Sequence, residues 1–142
     1  MEIQDFQFPI QCADPQVAES SKFVQWSHLM VEPMQKFRLS PLATNSFPTT
    51  MGEVGFQRVA MEDFKMFSGP WSEVEEEREL GRMGFTNFTL GVRGFSSTLF
   101  IKGLGWSDER HEALVQEVLQ ELRDGAYRTY LSMKVCFAQK PE

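Results

Sequence analysis

Hydroxyl-bearing and cationic side chains are concentrated in the segment RGFSSTLFIKG, residues 93–103. As a β-strand, this segment places a polar row on one face and a mostly apolar row on the other. The polar row contains Arg93, Ser96, Thr98 and Lys102. Such a face suits double-stranded RNA, because the shallow minor groove of an A-form duplex presents 2′-hydroxyls and phosphates to Ser, Thr and basic side chains. An ordinary solvated sheet surface is the alternative interpretation.

No set of residues in the sequence has the spacing of a catalytic centre. His28 and His111 lie on separate predicted helices, and the glycines between positions 91 and 105 lack the strand-GxGxxG-helix context of a nucleotide site. Cys12 and Cys136 lie near opposite ends of the chain and match no metal-ligand spacing. We therefore expect no catalysis, no cofactor and no metal ion.

Two aromatic residues on the first predicted helix are the other candidates for binding. Phe23 and Trp26 are three residues apart in SKFVQWSHLMVEP, residues 21–33, which is predicted to form a helix that starts at Ser20 or Ser21 and ends before Pro33. If these rings face the interior, they belong to the core. If they are exposed, they form a flat apolar surface suited to stacking on nucleic-acid bases.

The elements that position these residues are predicted from periodicity and capping residues. Residues 52–64 alternate as a strand, and residues 84–103 form a hairpin that turns at Gly94 and brings Thr89 onto the same polar face. Ser72 and Glu75 form a capping box at the start of a short helix that ends at Gly81. A longer helix begins at Ser107 and ends at Gly125, and residues 126–138 form a last strand.

The composition is that of a single folded domain. The chain has 142 residues, 42% of them hydrophobic, and a net charge of −6, which favours solubility and argues against a broadly basic nucleic-acid binder. We expect an extended arm at residues 1–15, one domain at 16–138 and a tail at 139–142. The sequence lacks the basic start of a signal peptide and an apolar run of about 18 residues, so we expect an intracellular protein with no membrane partner.

The order of the motifs resembles that of the tombusvirus and aureusvirus RNA-silencing suppressors, and is most similar to the shorter aureusvirus members. The resemblance rests on FVQW (23–26), GEVGFQR (52–58), GPWS (69–72) and GFTNFTLGVRGFSSTLFIKG (84–103). Its most specific part is the Arg-Gly-hydrophobic-Ser-x-Thr core at 93–98.

The resemblance implies an α+β fold with an antiparallel or mixed sheet, helices packed on one face, and a homodimer that forms a continuous concave sheet. It implies a viral suppressor that binds small interfering RNA duplexes independently of their sequence in the cytoplasm of an infected plant cell, with host silencing proteins as further partners. Phe23 and Trp26 would stack on the duplex ends. The other implied RNA contacts are Arg58, Thr89, Arg93, Ser96 and Thr98, and Lys102 extends the polar patch.

A function from a different class stays open beside this one. The run EVEEERE, residues 73–79, is strongly acidic. Together with the aromatic stripe it is typical of an acidic interaction module that binds a host protein and no RNA.

Overall fold

The computed structural model describes residues 1–141 and has an α+β fold. Within these residues, three strands and four helices follow one another as β1 (Glu2–Cys12), α1 (Lys22–Lys36), α2 (Phe47–Glu53), β2 (Gln57–Phe67), α3 (Glu75–Thr98), α4 (Asp108–Asp124) and β3 (Thr129–Gln139). Short 3-10 turns lie at Ala18–Ser20 and Ala43–Ser46, and a π-helical turn at Leu99–Gly103 continues α3. The α+β class predicted from the sequence is confirmed.

The three strands form one antiparallel sheet in the order β1-β3-β2. The central strand β3 runs antiparallel to both neighbours, so β1 and β2 run in the same direction. The extended segment predicted at the start of the chain is therefore an edge strand. The last strand predicted from residues 126–138 is confirmed as the centre of the sheet.

Helices cover both faces of the sheet, whereas the sequence predicted helices on one face. Leu131 of β3 belongs to the main core, which also contains buried residues of α1, α3 and α4. Cys136 points to the opposite face, because side chains alternate between the two faces along a strand and Cys136 is an odd number of positions from Leu131. Its thiol lies 3.5 Å from the sulfur of Met51 in α2. We call the side of Leu131 the core face and the side of Cys136 the α2 face.

Helix α1 buries an apolar stripe that recurs at helical spacing. Phe23 is completely buried and Trp26 is 2% exposed, and their rings stack with centroids 5.5 Å apart. The helix continues through Pro33 to Lys36, so the predicted end before Pro33 is wrong. The proline ring is buried and packs against the chain at Gly103, where an added Cβ would lie 2.5 Å from the Pro33 Cβ. This packing offsets the helical hydrogen bond that a proline cannot donate.

The start of α1 is capped by a residue from the other end of the chain. Ser21 is the N-cap, as the sequence allowed, and its hydroxyl accepts from Val24 N at 3.2 Å. The carboxylate of Glu121 on α4 accepts from the Ser21 hydroxyl at 2.6 Å, from Lys22 N at 2.6 Å and from Phe23 N at 3.2 Å. A negative charge is favourable at this end of a helix, where backbone N–H groups lack helical partners.

Replacing Glu121 by alanine is expected to lower the free energy of unfolding by about 2 kcal/mol, since several amide and hydroxyl donors lose their acceptor. Glu117 is the matched control, because it lies one turn earlier on α4 and pairs with Lys22 at the surface. Glu117→Ala is expected to cost less than about 0.5 kcal/mol. Urea unfolding followed by circular dichroism measures both, and equal losses would contradict the capping role.

Residues 84–103 form a helix, so the predicted hairpin is wrong. Phe85, Phe88, Val92 and Leu99 follow the helical repeat and line the core. Leu90, which strand alternation would bury, is 79% exposed. The hydroxyl residues, which favour strands and turns, satisfy their side chains within the helix: Thr89 donates to the Phe85 carbonyl and Ser96 to the Val92 carbonyl, both at 2.8 Å.

The start of α3 also differs from the prediction. The Ser72 hydroxyl donates to the carboxylate of Glu77 at 2.5 Å, and the helix begins at Glu75, so the capping box between Ser72 and Glu75 does not form. The helix then runs through Gly81 and Gly84, where it touches the backbone that follows β2. A Cβ on Gly81 would overlap the Gly69 carbonyl, and one on Gly84 would overlap the Phe67 carbonyl. Glycine at both positions permits this close contact.

Helix α4 confirms the prediction from its caps. The Ser107 hydroxyl accepts from Arg110 N at 3.2 Å, and Gly125 ends the helix in the left-handed conformation with φ of 60°. Its buried stripe packs against α1 and α3 in the main core. The buried residues of this stripe are His111, Val115, Val118, Leu119 and Leu122.

Candidate functional site

The structure does not bring the residues predicted to bind RNA onto one sheet face. Phe23 and Trp26 are in the core, where neither ring can stack on a base. Arg58 lies in β2 at an irregularity in its pairing with β3, with a left-handed φ of 52°. The others lie along one helix and the π-helical turn that continues it: Thr89, Arg93, Ser96 and Thr98 on α3, and Lys102 beyond it.

Two of these helical residues serve internal contacts with α4. The Arg93 guanidinium donates two hydrogen bonds, of 2.8 and 2.7 Å, to the carboxylate of Glu112. This pairing lowers the pKa of Glu112 to about 2. Ser96 is buried, and its oxygen lies 2.8 Å from Nε2 of His111. Because Ser96 donates its proton to Val92, the His111 Nε2–H is the donor in this contact.

His111 belongs to the packing of the core. It is 3% exposed, and its ring lies 5.5 Å from that of Phe100. Burial lowers the pKa of His111, with the Arg93 charge acting in the same direction and Glu112 opposing it. The imidazole is therefore neutral at pH 7. Among the described residues, its imidazole is hydrogen-bonded to the Ser96 hydroxyl, which itself donates to the helix backbone.

A cleft of about 570 Å³ lies where β2 ends and β3 begins. It is bounded by the segment after β2, by the second and third turns of α3, and by the last turn of α4 with the loop that follows. This is the end of the sheet towards which β1 and β2 both run, and a concave region lined by apolar and aromatic side chains with a few polar groups is typical of a small-molecule site. We therefore treat this cleft as the candidate functional site.

The floor of the cleft is polar and rigid. The carbonyl of Thr129 accepts from Ser68 N at 3.1 Å, from the Ser68 hydroxyl at 2.8 Å and from the Trp71 indole N–H at 3.0 Å. Ser68 and Thr129 are buried, and their hydroxyls are 2.5 Å apart. These bonds fix the indole, which also meets the Phe67 ring edge-on with centroids 4.9 Å apart.

The walls of the cleft are mainly aromatic and aliphatic, and its rim is charged. Trp71, Phe85, Leu122 and Tyr127 line the walls, and Arg82 and Arg123 lie at the rim. The Arg82 guanidinium is held by the carboxylate of Glu79 at 2.8 Å and by that of Glu75 at 3.0 Å. Arg123 is exposed and forms no ion pair within residues 1–141.

This arrangement can bind a small organic molecule, with ring stacking at the walls, hydroxyls at the floor and a cation at the rim. Among the described residues, no group of three or more potential ligands could hold a metal ion. No helix in that part of the chain is long and apolar enough to span a membrane.

Sequence reasoning missed this cleft, although two signals for it are present. Gly69-Pro70-Trp71-Ser72 indicates a break before a helix, and in the sequence it supported only that break and the resemblance to viral suppressors. Gly81 and Gly84 lie in the middle of a helix, where glycine is unfavourable unless another backbone comes close. Together these signals indicate a tight crossing of a helix over a strand end, with an aromatic ring beside it.

Comparison with known proteins places the chain beside fungal regulators and methyltransferases. It is 29% identical over 131 residues to the secondary metabolism regulator laeA of Fusarium oxysporum, a match that covers 92% of this chain and 42% of the relative. The secondary metabolism regulator LAE1 of Gibberella fujikuroi gives the same identity and coverage. The methyltransferase pytC of Aspergillus terreus is 25% identical over 141 residues, covering 99% of this chain and 44% of the relative.

The chain thus spans about two fifths of the length of the curated relatives it matches. No family model matches the chain, and no solved structure does.

These relatives overturn the functional predictions made from the sequence. The chain is similar to fungal proteins along nearly its whole length, so the resemblance to tombusvirus and aureusvirus proteins is wrong. The predicted RNA duplex and host silencing partners, the plant-cell location and the alternative of an acidic host-protein module are withdrawn with it. The predicted homodimer and its continuous sheet are not tested by these relatives. The similarity to a methyltransferase also contradicts the expectation that the protein is not an enzyme.

Proposed function

We propose that this protein is a methyltransferase-like regulator of fungal secondary metabolism, in which the cleft beside Trp71 binds the small molecule that accepts the methyl group. The observation that carries the proposal is the similarity to regulators and a methyltransferase over at least 92% of the chain. The cleft supports it, because its apolar walls and fixed indole suit an organic acceptor.

Methyl transfer also requires a donor, and S-adenosylmethionine supplies an activated methyl group in such chemistry. Nucleotide-type groups are held by a glycine-rich turn between a strand and a helix N-terminus. In residues 1–141, the segments that follow β1 and β2 are Ala13-Asp14-Pro15 and Ser68-Gly69-Pro70, and neither has that turn. The residues of this chain therefore do not fit the donor, and we assign them the acceptor side alone.

The proposed role of the cleft is to bind and orient. The Trp71 indole offers a flat surface whose angle is fixed by its bond to Thr129. Phe85 and Tyr127 also line the cleft, and Arg123 supplies a positive charge that attracts an anionic or electron-rich substituent. A ring held in one orientation is positioned for group transfer, and such positioning lowers the barrier to the reaction.

The test is deletion of the gene in the fungus that encodes the protein, followed by complementation. We expect deletion to change the secondary-metabolite profile measured by liquid chromatography and mass spectrometry. The wild-type gene and Gly94→Ala, an exposed helical change with open space around it, are expected to restore the profile. Trp71→Ala and Arg123→Glu are not expected to restore it at equal protein levels.

Arg123→Glu guards against a folding artefact, because Arg123 is exposed and unpaired and its replacement leaves the packing intact. An unchanged profile after deletion would refute the regulatory function. Full complementation by both cleft variants would refute the role of the cleft. A thermal shift of the purified 142-residue chain with S-adenosylmethionine is expected to be absent, and a clear shift would show that donor binding was assigned wrongly.

A further inference from the structure

On the core face of the sheet, apolar side chains remain exposed beside α3 and from there towards the amino-terminal ends of β1 and β2. The apolar side chains there, which we call the amino-end patch, are Phe6, Ala60, Phe64, Met133, Val135 and Phe137. Phe6 is 39% exposed, Phe64 45% and Phe137 38%. Solvent exposure of a continuous apolar sheet face is unusual in soluble proteins and marks an interaction surface.

The strand register makes these side chains neighbours. Met133 of the central strand pairs with Phe6 on one side and with Phe64 on the other, and Phe137 pairs with Ala60. Met133, Val135 and Phe137 are an even number of positions from Leu131 and so lie on the core face, and their partners Phe6, Phe64 and Ala60 lie on the same face through the register. The patch continues into a groove of about 670 Å³ below α3, which is lined by Phe64, Met133, Leu80 and Met83. Leu80 is 53% exposed and Met83 58%.

Carboxylates flank the patch on both edges of the sheet. Glu2 on β1 pairs with Phe137, and Glu62 on β2 pairs with Val135. Both lie on the core face, and neither forms an ion pair within the described part of the chain. Within residues 2–6, 60–64 and 133–137, no Lys or Arg occupies a position on the core face.

We propose that the amino-end patch docks an amphipathic helix of another polypeptide, with an apolar stripe on the patch and Lys or Arg side chains on both flanks of that stripe. The dimensions fit one helix. The two spacings between β1, β3 and β2 span about 10 Å, which is the diameter of a helix with its side chains, about 10 Å. The carboxylates on both edges then face the two basic flanks, so charge complementarity selects this occupant.

The docking surface shares no residue with the cleft and does not depend on the proposed function. A sheet with apolar residues on both faces is stable when helices cover both. In this chain α2 covers the other face, and the core face is covered only towards the cleft.

The experiment uses two fluorescein-labelled 18-residue peptides, one of Leu and Lys and one of Leu and Glu, each with leucines at the helical repeat. Fluorescence anisotropy measures their binding to the purified 142-residue protein and its variants. We expect the Lys peptide to bind at least ten-fold more tightly than the Glu peptide. Phe64→Ser on β2 and Phe6→Ser on β1 are each expected to weaken binding of the Lys peptide at least ten-fold. Glu62→Lys is expected to reduce or reverse the preference for the Lys peptide over the Glu peptide.

Val54→Ser is the matched control, because Val54 is apolar and 66% exposed but follows α2, outside the patch. It is expected to leave binding unchanged. Equal affinity for both peptides, no binding of either, or an equal loss with Val54→Ser would overturn the proposal. Sedimentation velocity completes the test: a concentration-dependent dimer that Phe64→Ser dissociates would assign the patch to a second copy instead, and would also overturn it.

Discussion

Gly84→Ala is expected to lower the free energy of unfolding by about 3 kcal/mol. A Cβ at this position would overlap the carbonyl oxygen of Phe67. Both partners are backbone, so neither can rotate away, and α3 would have to move off the end of β2. Alanine gains about 1 kcal/mol of helix propensity over glycine, which offsets only part of this cost. Urea unfolding followed by far-ultraviolet circular dichroism measures the change.

Gly91 supplies the matched control on the same helix. An added Cβ there has nothing within 4 Å, so Gly91→Ala is expected to stabilise the protein by about 0.5–1 kcal/mol through helix propensity alone. If Gly84→Ala behaves like Gly91→Ala, α3 does not contact the strand end as described, and the wall that α3 contributes to the cleft is not held by that contact.

Phe23→Ala is expected to cost about 3–5 kcal/mol, the range for removing a buried aromatic ring from a core. Phe23 is completely buried, stacks on Trp26 and meets Phe88 of α3 edge-on with centroids 5.1 Å apart. Its ring therefore joins α1 to α3. The readout is the urea midpoint at constant m-value, because a change of slope would indicate a different unfolded or native state.

Trp26→Phe is the conservative partner of this test. The indole N–H of Trp26 is buried with no hydrogen-bond partner among the described residues, and an unpaired buried donor costs about 1–3 kcal/mol. Its removal offsets the loss of ring volume, so the net change is expected to stay within about 1 kcal/mol. A loss below about 1 kcal/mol for Phe23→Ala itself would mean that these rings are exposed in solution, contrary to the structure.

The sequence predicted elements well where local chemistry alone determines them. The helix from Ser107 to Gly125 has a hydroxyl cap, acidic residues in the first turn and a glycine that accepts positive φ, and all three function as expected. The prediction for residues 84–103 is wrong because the strand and helix periodicities coincide there. Phe88 and Val92 fit strand alternation as well as the helical repeat, and Thr and Phe favour strands. Packing of Phe85, Phe88 and Val92 against α1 and β1 decides for the helix.

The candidate cleft could not be predicted from local patterns. Trp71 and Thr129 are joined by one hydrogen bond across 58 positions of sequence, and no spacing rule connects them. The resemblance to viral suppressors failed for a related reason. It depended on residues 93–98 forming a strand, so the order of motifs carried no information about which side chains share a surface. In the structure, Ser96 is buried against His111 and Arg93 is occupied by Glu112.

The pairing of β1 with β3 places constraints on how the molecule assembles. Glu2 is matched with Phe137 and Cys12 with Thr129, so the first strand has no ladder partner until residues 129–137 have been synthesised. The Glu121 carboxylate reaches Ser21 from the same late region. Contacts between such distant positions raise contact order and slow folding. The segment with Phe6, Phe8 and Ile10 therefore remains unpaired and apolar until β3 is synthesised. During that time it is prone to aggregation, and chaperones protect such segments.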